Sequence, residues 1–283
     1  MATEVFAPAK VNLTLHVTGR RADGYHLLDS LVVFADIGDT VSVEASDRLS
    51  LAVDGPMAVG VPVDDSNLVL RAARFLNPER GAAILLTKHL PAASGIGGGS
   101  SDAAATLRAL SELWGVPVPR DVLALGADLP VCMAPGPQRL AGVGDVLTPV
   151  PGLPDCDILL VNPGVSVATP QVFRALQDPC NPPMPPEFPD WPTTEALTTW
   201  LSGQRNDLQA AAMSLQPRIA EVLRALSQTG ALHHAMSGSG ATCFALFAPD
   251  TGAAAAAAKV QSQYPGWWVR SGRLLGQLSR PAQ

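Results

Sequence analysis

The chain has 283 residues, 47% of them hydrophobic and 16% charged, with a net charge of −6. A chain this long buries roughly 75% of its unfolded surface, which excludes general disorder and allows one large domain or two ordinary ones. An acidic balance with no basic block argues against a nucleic-acid or anionic-membrane partner.

The four cysteines, Cys132, Cys156, Cys180 and Cys243, form no CxxC pair, and the five histidines form no HExxH pair. Neither a redox motif nor a structural zinc site is expected. Met1 to Lys10 lacks a secretory apolar core, and no stretch approaches the ~18 apolar residues of a membrane span. The expectation is a cytoplasmic protein with free thiols, as a monomer or weak homodimer.

Along the first half, Val11, Leu13, Leu15 and Val17 alternate with polar residues, as in a half-buried strand. Arg20 to Gly24 reads as a polar loop. Leu31 to Ile37, Thr40 to Glu44 and Leu49 to Val53 read as strands separated by turns. Ser66-Asn67 opens a helix to Leu76, and Ala82 to Leu90 returns to strand character. Leu107, Leu110, Leu113 and Trp114 recur at helical spacing over Asp102–Trp114.

The second half predicts a strand at Asp157–Val161, then helices near 170–176, 193–202 and 207–227. Strands follow at 232–236 and 242–247, then an Ala-rich helix at 252–263 and a last strand near Trp267 to Arg270. This order is that of a split βαβ sandwich of the ferredoxin type. Seven prolines between Pro179 and Pro192 exclude regular structure, and a surface loop is expected there.

The most informative stretch is Pro91-Ala92-Ala93-Ser94-Gly95-Ile96-Gly97-Gly98-Gly99-Ser100-Ser101. Its glycines allow a backbone that side chains forbid, and it joins a strand to a helix expected to start near Ser101. Free amides at a helix start, with the helix dipole, favour an anion, and the two hydroxyls add donors. The pattern is neither a Walker loop nor a dinucleotide fingerprint. A flexible linker is the competing reading. Met236 to Thr242 reads as a hairpin turn.

Only three of the 19 basic residues are lysines, and Lys10 lies in Ala7-Pro-Ala-Lys-Val11 beside an apolar strand. A compact ammonium there could polarise an oxygen; a solvated strand-edge lysine is the plainer reading. Asp128, in Gly126-Ala-Asp-Leu-Pro130, suits a general base or a helix N-cap.

Taken together these segments resemble the GHMP kinase superfamily. The resemblance rests on Ala7-Pro-Ala-Lys-Val-Asn-Leu13, Arg21-Ala-Asp-Gly-Tyr-His26, Pro91 to Ser101, Gly126 to Pro130 and Ser237 to Ala241, in the family's order. The second of these, with the triple glycine, is particular to the branch acting on a cytidine-diphosphate-linked polyol in isoprenoid precursor synthesis. The resemblance implies an α+β two-lobed fold: a ribosomal-S5-like N-terminal lobe over 1–150 and a ferredoxin-like C-terminal lobe over 151–283.

It further implies ATP as phosphoryl donor with Mg²⁺. Asp128 would take the hydroxyl proton and Lys10 would hold Asp128. Pro91 to Ser101 would wrap the phosphates, and Asn67 would lie near adenine. Asn12 would lie near the polyol, Tyr25 and Phe173 of Thr169-Pro-Gln-Val-Phe173 would stack on cytosine, and His26 would bond its polar edge. Thr169 joins the substrate group, and Ser101 is the one candidate for a metal ligand. Ser94 and Ile96 depart from the family's small residue and leucine. Another GHMP kinase, whose substrate offers no base to stack, and a ligand-binding relative without catalysis remain the alternatives.

Overall fold

The computed structural model describes residues 2–150 and 152–276. In chain order the elements are β1 (Thr3–Asn12), β2 (His16–Arg20), β3 (His26–Ala45), β4 (Ser50–Asp54), α1 (Leu68–Leu76), β5 (Ala82–Thr87), α2 (Gly98–Trp114), α3 (Leu129–Met133), β6 (Gln138–Gly142) and β7 (Val146–Pro149). There follow β8 (Asp157–Asn162), α4 (Thr169–Ala175), α5 (Thr194–Ser202), α6 (Gln209–Leu215), α7 (Arg218–Ser227), β9 (His233–Met236), β10 (Cys243–Phe247), α8 (Ala253–Gln263) and β11 (Trp268–Arg273).

The chain divides into two compact units. The first is 1–9, 38–92 and 97–134; the second is 10–37, 93–96 and 135–283.

In the first unit β5 pairs parallel with β4 and antiparallel with the Thr40–Ala45 part of β3. Helices α1 and α2 supply Val69, Ala73, Ala105, Ala109, Leu110 and Trp114 to a core shared with Val41, Val43, Ile84 and Leu86. Asn67 caps α1 by accepting the Val69 amide at 2.9 Å, and its amide nitrogen donates to the Pro62 carbonyl at 2.7 Å.

In the second unit the first part of β3 pairs with β2 and β6, and β6 with β7. A separate four-stranded antiparallel sheet has the order β11-β8-β10-β9. Its sequence β8-helices-β9-β10-α8-β11 is the split βαβ arrangement the pattern predicts. Leu159, Val161, Cys243, Ala245 and Val269 bury one face of it against Ile219, Val222 and Leu226 of α7 and Ala256 and Val260 of α8.

Three expectations need correction. The separate strands at Leu31–Ile37 and Thr40–Glu44 are one strand, β3. Gly38 marks no turn: a Cβ there would run into the Ala7 carbonyl and lie 2.6 Å from the Phe6 ring, so glycine is required by close approach of β1. The alternating stretch from Val11 to Val17 is broken between β1 and β2 and is buried throughout. The helix at 207–227 is two, α6 and α7, because Pro217 cannot sit inside a helix.

The proline-rich segment is an irregular and mostly exposed loop, as its composition requires, and it is anchored to the fold at a few points. Met184 and Trp191 are buried. Arg139 forms a two-point ion pair with Asp29, at 2.8 and 2.7 Å, and donates to the carbonyls of Met184, Pro185 and Pro186. Asp29 also accepts the Met184 amide at 2.8 Å. Proline removes amide donors but leaves carbonyls, so an arginine is a suitable partner.

Gly38→Ala is expected to cost about 1–3 kcal/mol, the usual range for overpacking. Thermal denaturation should show a melting temperature lower by several degrees; an unchanged value would count against the close-approach account.

Candidate active site

Helix α2 starts at Gly98, earlier than the sequence suggests. Gly97 takes the left-handed conformation, φ 61°, at the N-cap position, and no side chain caps the helix. No acidic residue lies in the first turn. The first amides of a helix have no partner within it, so the Gly98, Gly99 and Ser100 N–H groups are available to an anion. The Ser101 amide closes on the Gly97 carbonyl at 2.9 Å. A Cβ on Gly99 would meet nothing within 4 Å, so approach to this end is open. The Ser101 hydroxyl is fully buried without a hydrogen-bond partner.

The preceding residues, Ala93–Ile96, belong to the second unit and are held there by backbone. The Ser94 carbonyl accepts the Thr242 amide at 3.1 Å, and the Ile96 carbonyl accepts the Lys10 amide at 3.0 Å. The Ser237 hydroxyl donates to the Gly95 carbonyl at 3.0 Å and accepts the Asn12 amide at 3.1 Å. Gly95 has φ +76°, and a Cβ there would lie 2.6 Å from the Ser237 carbonyl and 2.7 Å from that of Gly240. The turn at 237–240 is thus both the hairpin turn between β9 and β10 and the bed of the glycine-rich segment. Composition alone points only to the first role.

Lys10, on β1, and Asn12 are buried. The Asn12 side chain donates to the Ser30 hydroxyl at 2.8 Å, and its carbonyl oxygen has no partner. The half-buried Asp128 occupies the N-cap position of α3, but its side chain does not cap that helix. Lys10 falls in the second unit and Asp128 in the first.

Tyr25, His26, Thr169 and Phe173 all belong to the second unit. The rings of His26 and Phe173 stack, with centroids 4.7 Å apart and planes 23° apart. Tyr25 is 61% exposed, well above what a packed aromatic shows. Burial, and then the nearby Arg20 charge, lower the His26 pKa below its usual value. A neutral imidazole offers one donor and one acceptor. The Thr169 hydroxyl hydrogen-bonds that of Ser239 at 2.8 Å. A cavity of about 250 Å³ elsewhere in this unit, lined by Leu176, Asn181, Asp207 and Ser214 among others, includes none of these residues.

Sequence reasoning misses one cluster in the first unit. The Lys88 ammonium, just after β5, is buried between Asp39 Oδ2 at 2.5 Å and Asp102 Oδ2 at 2.8 Å. Asp39 Oδ1 accepts the amides of His89 and Leu90. Burial, reinforced by the Asp39 charge and opposed by Lys88, pushes the Asp102 pKa up to about 8. Burial alone would lower the Lys88 pKa, but the two carboxyl groups hold it above the usual lysine value. One signal is present in the sequence, the scarcity of lysine; in the structure Lys10 and Lys88 are each only 4% exposed.

Comparison with known proteins decides the family. Residues 67–148 match the GHMP kinases N terminal domain, and residues 187–266 match the GHMP kinases C terminal domain. The chain belongs to the GHMP kinase family. It is 61% identical to the 4-diphosphocytidyl-2-C-methyl-D-erythritol kinase of Ruegeria pomeroyi, over 97% of this chain and all of that one. It is 58% identical to the enzyme of that name from Cereibacter sphaeroides, with the same coverage. A crystal structure of 4-(cytidine 5'-diphospho)-2C-methyl-D-erythritol kinase is 35% identical, covers 97% of this chain and 100% of its own, and superposes with a TM-score of 0.72. The homoserine kinase of Cytophaga hutchinsonii, at 20% identity and a TM-score of 0.65, shares the fold.

The Asp102 carboxyl makes stability depend on pH in a defined direction. Its proton leaves the unfolded chain near pH 3.8 and the folded chain near pH 8, so stability is lost as pH rises between those values. Asp102→Asn carries no such proton. Its melting temperature relative to the unmodified chain should climb from pH 4 to pH 8; parallel profiles would refute the assignment.

Proposed function

We infer that this GHMP kinase transfers the γ-phosphoryl group of ATP to the 2-hydroxyl of 4-diphosphocytidyl-2-C-methyl-D-erythritol. Relatives 61% and 58% identical over nearly the whole chain are named as kinases of that compound. The observation that carries the chemistry is the uncapped, acid-free N-terminus of α2 behind a left-handed glycine. Phosphoryl transfer depends mainly on positioning and charge stabilisation, and backbone amides supply both without reorganising.

In this reading the segment Pro91–Ser101 wraps the ATP phosphates, with the Gly98, Gly99 and Ser100 amides as donors. Asp128 accepts the proton of the attacking hydroxyl, and Lys10 stabilises the charge that develops. Asn67 lies near the adenine, although its side chain is already engaged as the cap of α1. The free Asn12 carbonyl oxygen suits a polyol hydroxyl. Tyr25 offers an exposed ring face for cytosine, Phe173 backs His26, and the neutral imidazole reads the polar edge of the base. Thr169 and Ser239 supply hydroxyls in the same unit.

Among the described residues, no group of three or more His, Cys, Asp or Glu side chains could hold a metal. A hard cation that keeps most of its water needs only one or two protein oxygens. The buried, unpartnered Ser101 hydroxyl fits that demand, so Ser101 would hold Mg²⁺. When bound, the ion neutralises phosphate charge.

The two family matches fall on either side of residue 150, and on that ground we assign lobes at 1–150 and 151–283, although 10–37, 93–96 and 135–150 form one compact unit with the second half. No helix among the described residues is long and apolar enough to cross a membrane. We place the enzyme in the cytoplasm, as a monomer or weak homodimer acting on small molecules.

Incubation with ATP, Mg²⁺ and diphosphocytidyl-methylerythritol should add one phosphate to the polyol by mass spectrometry; an unmodified polyol would overturn the reading. Asp128→Asn should lower kcat by roughly 10²–10⁴-fold, the usual share of a general base, with little change in ATP binding. Near-normal turnover would remove Asp128 from that role. Tyr25→Ala should raise KM for the cytidine substrate about 2–10-fold, the scale of one aromatic stack, and leave KM for ATP alone. A rise in KM for ATP instead would assign Tyr25 elsewhere.

A further inference from the structure

Asp39 and Asp102 both close on one buried ammonium, Lys88 Nζ. One carboxyl group would be enough to pair this ammonium. Asp39 is accounted for by the fold, since its second oxygen accepts two backbone amides and ties β3 to the chain leaving β5. Asp102 is not. It is the fifth residue of α2, only 3% exposed, and its Oδ1 has no hydrogen-bond partner. Burying a second carboxyl with an orphaned oxygen costs stability that an apolar side chain of similar volume would not.

The place of the ammonium gives the pair a use. A Cβ built on Gly98 would lie 3.6 Å from Lys88 Nζ. The positive charge therefore sits close to the first residue of α2, whose amide is among those proposed to bind phosphate. A solvated lysine would be screened there by water, whereas a buried one is not.

We propose that Lys88 and Asp102 are positioning residues for the nucleotide phosphates: the Asp102–Lys88 bond pins the first turns of α2 to the end of β5, and the ammonium adds fixed positive charge close to the helix N-terminus. This rests on the reading that ATP phosphates bind at that end of α2. Neither side chain needs to touch the nucleotide. The amides do so, and their direction is fixed before the phosphates arrive, which lowers the ordering cost of binding.

The test compares Asp102→Leu with Asp102→Asn in the full chain, by calorimetric titration with ATP and Mg²⁺, by KM for both substrates and by melting temperature. Asparagine keeps an oxygen that can accept from Lys88 Nζ. Leucine keeps the volume, removes the bond and leaves Lys88 paired with Asp39 alone. A folded Leu variant should bind ATP about tenfold more weakly, the scale of one lost charged hydrogen bond, while the Asn variant stays within about threefold. KM for the cytidine substrate should not move in either.

ATP affinity unchanged in the Leu variant, or both KM values rising together, would overturn the proposal. So would an equal loss in the folded Asn variant, which keeps the acceptor. If the Leu variant does not fold, Lys88→Gln in the Asp102→Asn background decides, because only Asp39 is then left charged. About tenfold weaker ATP binding supports the charge, and unchanged binding refutes it. Failure of both to fold assigns the cluster to stability alone and overturns the proposal. If the unmodified chain binds no ATP, the phosphate reading itself fails, a result separate from any of these.

Discussion

A helix of seventeen residues begins at Gly98 with its first amides turned outward and no side chain to accept from them. In most proteins a serine or aspartate fills that need. Here the residue before the helix is a left-handed glycine, and the first turn opens with two more glycines. The unmet demand of those amides is the constraint on which the site depends. The neighbouring segment answers to it as well: Gly95 is pressed against the 237–240 turn, where a side chain would meet two carbonyls.

Charge in this chain is spent sparingly below the surface. Among its few lysines, Lys10 and Lys88 are buried, and arginine serves where bidentate geometry matters, as between Arg139 and Asp29. The Lys88 ammonium between two carboxyl groups is a compact point charge that no guanidinium would fit so closely beside a helix backbone. The same contrast explains the proline-rich segment. Its carbonyls have no sheet to join, so Arg139 collects three of them while Met184 and Trp191 bury their side chains.

Much of the architecture is legible from periodicity and punctuation. The ferredoxin-type order of the second half follows from short strands and amphipathic helices, and it is found as β8 through β11. Pro217, which splits α6 from α7, is in plain view, but the errors around Gly38 have a different cause. Gly38 and Asp39 look like a turn because glycine beside aspartate usually is one. In fact the glycine makes room for a neighbouring strand, and the aspartate faces a lysine 49 residues away. Neither partner is visible in a local window. The buried triad was missed for the same reason, since Asp39, Lys88 and Asp102 are ordinary residues until the fold brings them together.

The sequence by itself determined the family, through five motifs in the family's order, and it determined the order of strands and helices through the spacing of apolar side chains. It also singled out the segment proposed to bind phosphate, because four glycines in five positions free the backbone at a helix start. Tertiary structure alone decided where α2 begins, which buried polar atoms lack partners, and that a hairpin turn from the far end of the chain supports Gly95. The last of these is a contact between residues 142 positions apart. The energies of such contacts come from burial and from hydrogen bonds closed across the fold, and no run of neighbouring letters encodes them.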